Sequence, residues 1–199
     1  MCGHDPLRSI FNLLFIFLIG LGVGSATAWY SIQKSHGLGA INIGQWSAWP
    51  FVGGSAVDPY TGAKVVADGS LPLGAAEGLA FEAVKDEEGT LLRLECSYRL
   101  EGITPPAKLW TLVAYTPDGA AVTPSPGGTS AKYSGNLMRF PDASFVINIG
   151  RSPMAGNWIS IQGTGNFKLV LRLYDTPVTS SSGLIEPVMP KILQTGCES

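Results

Sequence analysis

Four glutamates, Glu77, Glu82, Glu95 and Glu101, are the residues whose grouping suggests bond-breaking chemistry. Two carboxylates about 5–10 Å apart, with unequal proton affinities, are what glycosidic cleavage requires. Glu82, Glu95 and Glu101 fall on the polar side of alternating strand patterns, where charges are solvated. Glu77 differs, because Leu71-Pro72-Leu73-Gly74-Ala75-Ala76 precedes it and Gly78-Leu79 comes after. That apolar setting predicts partial burial. A buried carboxylate needs a partner, and Arg99 or Arg172 would supply a bidentate one. Such a pair is more readily a structural feature than a catalytic one.

The two histidines, His4 and His36, both precede the patterned region. A Ser-His-Asp or Cys-His site inside that region is thereby excluded, as is a histidine-ligated zinc or iron. No Gly-x-Ser-x-Gly elbow, phosphate-binding loop or metal-spaced cysteine pair occurs, so neither cofactor nor metal is expected. Five tryptophans and six tyrosines could instead form an aromatic binding platform. Trp110 alternates with Leu112 and Ala114 and reads as core. Trp158, after Gly156-Asn157, reads as the rim of a cleft. Glu77, Arg99, Trp158 and Arg172 are therefore the candidate ligand-binding residues, with the long Thr123–Tyr133 segment as a binding loop or a loose tip.

Cys96 and Cys197 have two readings. By alternation Cys96 faces a core and is an inert thiol there. On an oxidising side of a membrane it would instead pair with Cys197, closing a loop of about a hundred residues.

The positioning of these residues begins with Ile10–Tyr30, which carries no charge. At a helical rise of about 1.5 Å per residue it reaches roughly 30 Å, the thickness of a hydrocarbon core. As an anchor it ends in the interfacial pair Trp29-Tyr30. As a signal peptide it would be cut after Ala26-Thr27-Ala28. Arg8 before it and the domain after it give, by the positive-inside rule, a cytoplasmic residue 1–9 segment and an exported domain. The segment's partner is the lipid bilayer, and Gly20, Gly24 and Ala28 form a small-residue ridge on which two such helices would dimerise. The absence of any Asn-x-Ser/Thr sequon favours a bacterial source.

Beyond a polar tether at residues 31–44, residues 45–199 read as one domain. A net charge of −2 without basic runs argues against nucleic acid. The 25 glycines and 14 prolines favour short strands and turns. A first strand is expected at Gln45–Trp49, and one helix from Asp58-Pro59 to Gly69. Further strands are expected at Leu79–Ala83, Leu92–Glu101, Lys108–Tyr115, Asn136–Phe140, Ser144–Gly150, Trp158–Gln162 and Phe167–Tyr174. Val188–Leu193 would add an edge. If residues 85 and 90 close the Asp86–Gly89 turn, Glu82 lies opposite Arg93. This pattern predicts a mainly β fold, an antiparallel sandwich of jelly-roll or Greek-key type.

Several phrases in order carry a resemblance: Asp58-Pro59-Tyr60, Leu71–Gly78, Tyr98-Arg99 with Pro105-Pro106, Trp110-Thr111, and Tyr115-x-Pro117-Asp118-Gly119. Asn157-Trp158, Leu171–Pro177 and Cys197 complete it. From about Asp58 to the C-terminus the chain resembles the bacterial domain-of-unknown-function 1214 family. The resemblance implies a β-sandwich and transfers no activity or catalytic residue. In that family a second domain often precedes this one, and here a membrane segment takes its place. The expectation is a single-pass inner-membrane protein whose periplasmic domain binds an envelope ligand or protein. Its rivals are a carboxylate hydrolase acting on an envelope saccharide and a structural subunit of a membrane complex.

Overall fold

The computed structural model describes residues 6–34, 40–50, 59, 62–63, 66, 73–74, 77–179 and 187–197. Helix α1 (Pro6–Lys34) contains the apolar run, and its Leu7–Tyr30 stretch has a mean hydropathy of 2.0 with none of it buried. It is long and apolar enough to cross a membrane, as an anchor or a signal sequence is. The helix continues four residues into the expected tether. Of the helix expected between Asp58 and Gly69, most lies outside the described residues, and residues 59, 62, 63 and 66 are helical.

Among the described residues, ten strands come after α1. The first five are β1 (Ile41–Ile43), β2 (Trp46–Ala48), β3 (Gly78–Ala83), β4 (Cys96–Gly102) and β5 (Leu109–Tyr115). Then come β6 (Ala131–Tyr133), β7 (Phe145–Gly150), β8 (Asn157–Ser160), β9 (Lys168–Tyr174) and β10 (Lys191–Cys197). They form a six-stranded sheet, β1-β2-β3-β9-β5-β6, and a four-stranded sheet, β10-β4-β7-β8. The first strand is thus β1, folded back on β2, where the sequence suggested tether.

The two sheets share one core. Period-two alternation puts Leu79, Phe81 and Ala83 of β3, and Leu169, Leu171 and Leu173 of β9, on the inner face of the larger sheet. Tyr98, Leu100, Ile147, Ile149 and Ile159 face them from the smaller one. Two ring contacts join the layers, Tyr98 to Phe167 at 5.7 Å and Trp110 to Phe145 at 5.6 Å. Each such fully buried side chain contributes about 1.5–3 kcal/mol.

Leu92–Glu101 is not one strand. Leu92 N–H donates to Val84 O, and Leu94 N–H to Gly165 O, so its first residues belong to the larger sheet's margin. A turn closed by Cys96 N–H to Arg93 O then delivers β4 into the smaller sheet. Inward alternation survives the corner, which is why the pattern reads as continuous. The Asp86–Gly89 turn closes through a Lys85–Leu91 bridge, one residue off the expected register. Arg93 therefore pairs with Glu95 at 3.5 Å, while Glu82 pairs with Lys168 at 3.1 Å.

Among the described strands, all pairings are antiparallel except β7 with β8, which run parallel. Parallel neighbours normally need a crossover of a dozen or more residues. Here residues 151–156 double straight back, turning at Gly156 with φ +85°. Asn148 Nδ2–H pins this return by donating to Ala155 O at 3.1 Å. The expected Asn136–Phe140 strand is not formed: Asn136 ends a 3-10 turn, residues 137–140 carry the chain across from β6 in the larger sheet to β7 in the smaller, and β6 occupies the end of the expected Thr123–Tyr133 loop.

Candidate binding site

Strand register brings two of the four candidate residues onto one surface. On the outer face of the four-stranded sheet, Leu193 lies beside Arg99, Arg99 beside Asn148, and Asn148 beside Trp158. Adjacent strands are about 4.8 Å apart, which sets Arg99 and Trp158 about 10 Å apart along this row. Arg99 pairs with Glu101 at 3.0 Å on its own strand. Trp158 is half-buried, and its indole N–H donates to Gly150 O at 3.1 Å.

Glu77 and Arg172 lie elsewhere. Glu77 is exposed, immediately before β3, and among the described residues its carboxylate reaches the Gly74 N–H alone, at 3.4 Å. The expected partial burial and ion pair with Arg99 or Arg172 are therefore not formed. The backbone there pairs with Asp175, whose N–H donates to Glu77 O, and the Glu77 side chain stands outside. Arg172, on the outer face of β9, donates to the Tyr115 hydroxyl at 3.0 Å and lies over that ring at 5.2 Å. Glu82, Glu95 and Glu101 are held by Lys168, Arg93 and Arg99 respectively. The Gly165 N–H donates to Glu95 and, as the main cause, holds its carboxyl below the usual range. Neither of the two grooves described below holds two of the four glutamates.

Beside the row lies a groove of about 250 Å³ between the crossing segment and the 151–156 return. Met138, Phe140, Val146, Ala155 and Gly156 form its apolar walls, with Arg139, Asn148 and Asn157 as the polar lining. Asn157, 5 % exposed, builds it. Its Oδ1 accepts from Met138 N–H at 2.8 Å, and its Nδ2 donates to Met138 O and Val146 O at 2.8 and 2.9 Å. Arg139 sits above Trp110 and Phe145, 5.7 and 5.6 Å from the ring centres, and donates to Ala143 O. Sequence reasoning missed this groove. Its one usable signal was Gly156-Asn157, read as the approach to a rim tryptophan.

The Thr123–Tyr133 segment is stitched down. Ser125 N–H donates to the Ser160 hydroxyl at 2.7 Å, and Ser160 N–H to Thr129 O at 2.8 Å. A Cβ on Gly128 would stand 2.5 Å from Ser160 Cβ, so only glycine admits this approach. At the opposite edge, Cys197 of β10 stands across from Cys96 of β4, and the two form a disulfide spanning a separation of 101 residues. A second depression of about 290 Å³ lies at the other end of β10, with Met189, Glu87 and Lys191 in its lining. On α1, a Cβ built at Gly20 or Gly24 meets nothing within 4 Å.

Fold and site together describe a β-sandwich with one open, partly aromatic sheet face, preceded by an apolar helix. The profile of the family described as "Protein of unknown function (DUF1214)" matches residues 77–178, and the chain belongs to that family. Among solved structures, the chain is similar to the VPA0106 protein from Vibrio parahaemolyticus, with a TM-score of 0.59 and 14% identity. That match covers 98% of this chain and 47% of the other, so the chain spans about half the length of that protein. An uncharacterized protein from Burkholderia cenocepacia matches 60% of this chain and 29% of its own, with a TM-score of 0.42 and 20% identity. No curated protein matches the chain.

Proposed function

We propose that this is a membrane-attached domain on the periplasmic side of a bacterial inner membrane, binding a cell-envelope ligand or partner without chemical turnover. The observation that carries the reading is the Cys96–Cys197 disulfide in a domain preceded by an apolar, exposed helix. Disulfides persist in oxidising compartments, and a helix of spanning length with Arg8 before it favours, by the positive-inside rule, an exported domain behind it. Binding is supported by the open row of Arg99, Asn148 and Trp158 and by the adjoining groove. The hydrolase reading loses its best candidate, because Glu77 is solvent-exposed and the other three glutamates are each held by a cation.

The test is purification of the full-length chain from membranes in mild detergent, followed by identification of bound proteins and small molecules. A stoichiometric companion is expected. Release of sugar from an envelope saccharide by the purified chain would contradict the reading.

A further inference from the structure

We propose that the groove between the Met138–Phe140 crossing segment and the 151–156 return binds a small soluble carboxylate with an apolar body, such as an arylalkanoate. Arg139 receives the carboxylate. This inference rests on the binding role proposed above and assigns it a location and a ligand class.

Size comes first. Pockets for drug-sized ligands run to about 300–1,000 Å³. At about 250 Å³ the groove suits one ring or a short chain, not an oligosaccharide or a two-chain lipid.

The state of the polar lining comes second. Both polar ends of Asn157 are engaged with Met138 and Val146, and Asn148 Nδ2 is engaged with Ala155 O. The walls therefore offer few donors and acceptors, and a sugar's hydroxyls would lose more hydrogen bonds to water than they regained. An apolar group loses none.

Charge decides the rest. Arg139 is the sole charged residue in the lining and makes no ion pair among the described residues. Its guanidinium is held over two buried rings and uses one N–H on Ala143 O. The remaining N–H groups keep the fork geometry that matches a carboxylate. No acidic residue lines the groove, so an apolar cation would meet repulsion and a neutral ligand would leave the guanidinium unused.

The chain has four methionines, and Met138 lines this groove while Met189 lines the second depression. Full-length chain labelled at its methionine methyl groups is titrated in detergent with 3-phenylpropionate and, separately, with 3-phenylpropionamide. The Met138 signal is expected to shift saturably with the acid while Met189 stays still. The amide should bind about tenfold more weakly, and Arg139→Gln should lower affinity for the acid by about the same factor. Ala155→Leu, which fills the groove from an exposed position, should abolish the shift while leaving the Met189 signal in place. No saturable shift at Met138, equal binding of acid and amide, or an unaffected Arg139→Gln each overturns the assignment. If the groove is silent while the membrane purification still yields a companion, the assignment falls and the binding role stands.

Discussion

The two sheets of this sandwich are built by different means. The six-stranded sheet is held by long runs of consecutive pairing, with β9 at its centre matched to six residues of β3 and seven of β5. The four-stranded sheet is assembled from distant or awkward pieces: a strand that arrives round a corner, a parallel pair joined by a tight return, and a tail strand. It is fastened by side chains, namely Asn157, Ser160 and the Cys96–Cys197 bridge. The outer faces differ accordingly. On the larger sheet Glu82 is matched to Lys168 and Arg172 is capped by Tyr115. On the smaller, Arg99 is likewise matched to Glu101, but at its margin Arg139, which makes no ion pair among the described residues, stands beside an apolar groove. The sheet that local pattern secures carries matched charges on its outer face, and the groove lies against the sheet that needs fasteners.

If that contrast is right, substitutions should damage the two sheets in different ways. The largest effect is expected from Cys197→Ser, which opens a loop of about a hundred residues and should cost about 4 kcal/mol in urea unfolding. Amide exchange in β10 and β4 should accelerate well before exchange in β3 and β9. Gly78→Ala attacks the larger sheet through its backbone, since a Cβ there would lie 2.0 Å from Leu173 O. A loss of about 3 kcal/mol is expected, with exchange rising first in β3 and β9. Asn157→Ala leaves the Met138 and Val146 backbone groups without their partner and should cost about 2 kcal/mol. The Met138 methyl signal should broaden, while tryptophan fluorescence on unfolding keeps a single transition.

The smallest effect concerns acid. The folded-state depression of the Glu95 carboxyl, caused first by the Gly165 N–H, stabilises the ionised form. Its contribution is complete above the ordinary glutamate range near about 4.3 and is lost as the pH falls through the lower folded value. Wild type should therefore exceed Glu95→Gln in stability at neutral pH, and the gap should close in acid unfolding curves.

The same contrast governs how much could be read from the sequence. β3, β5 and β9 were legible because Leu79/Phe81/Ala83, Trp110/Leu112/Ala114 and Leu169/Leu171/Leu173 alternate strictly, and alternation is a local signal. The corner before Cys96 was not, since inward alternation runs unbroken from Leu92 to Leu100 while hydrogen-bond partners change. Nor was the parallel pairing of β8, because a short Gly-containing connection ordinarily makes a hairpin. Arg99 and Trp158 were candidates singly, and only the register of three strands set them in a row. Arg139 was invisible: nothing local says that residues 137–140 carry the chain from the larger sheet to the smaller and set a guanidinium over Trp110 and Phe145.

If the domain matures where thiols oxidise, the Cys96–Cys197 bridge is closed in the cell. Full-length chain is extracted from acid-quenched membranes, alkylated under denaturing conditions with and without prior reduction, and the modified cysteines are located by mass. Cys96 and Cys197 are predicted to resist alkylation until reduced, leaving Cys2 as the only residue open to the reagent. Complete alkylation of all three without reduction would contradict the bridge and, with it, the assignment to the oxidising side of the membrane.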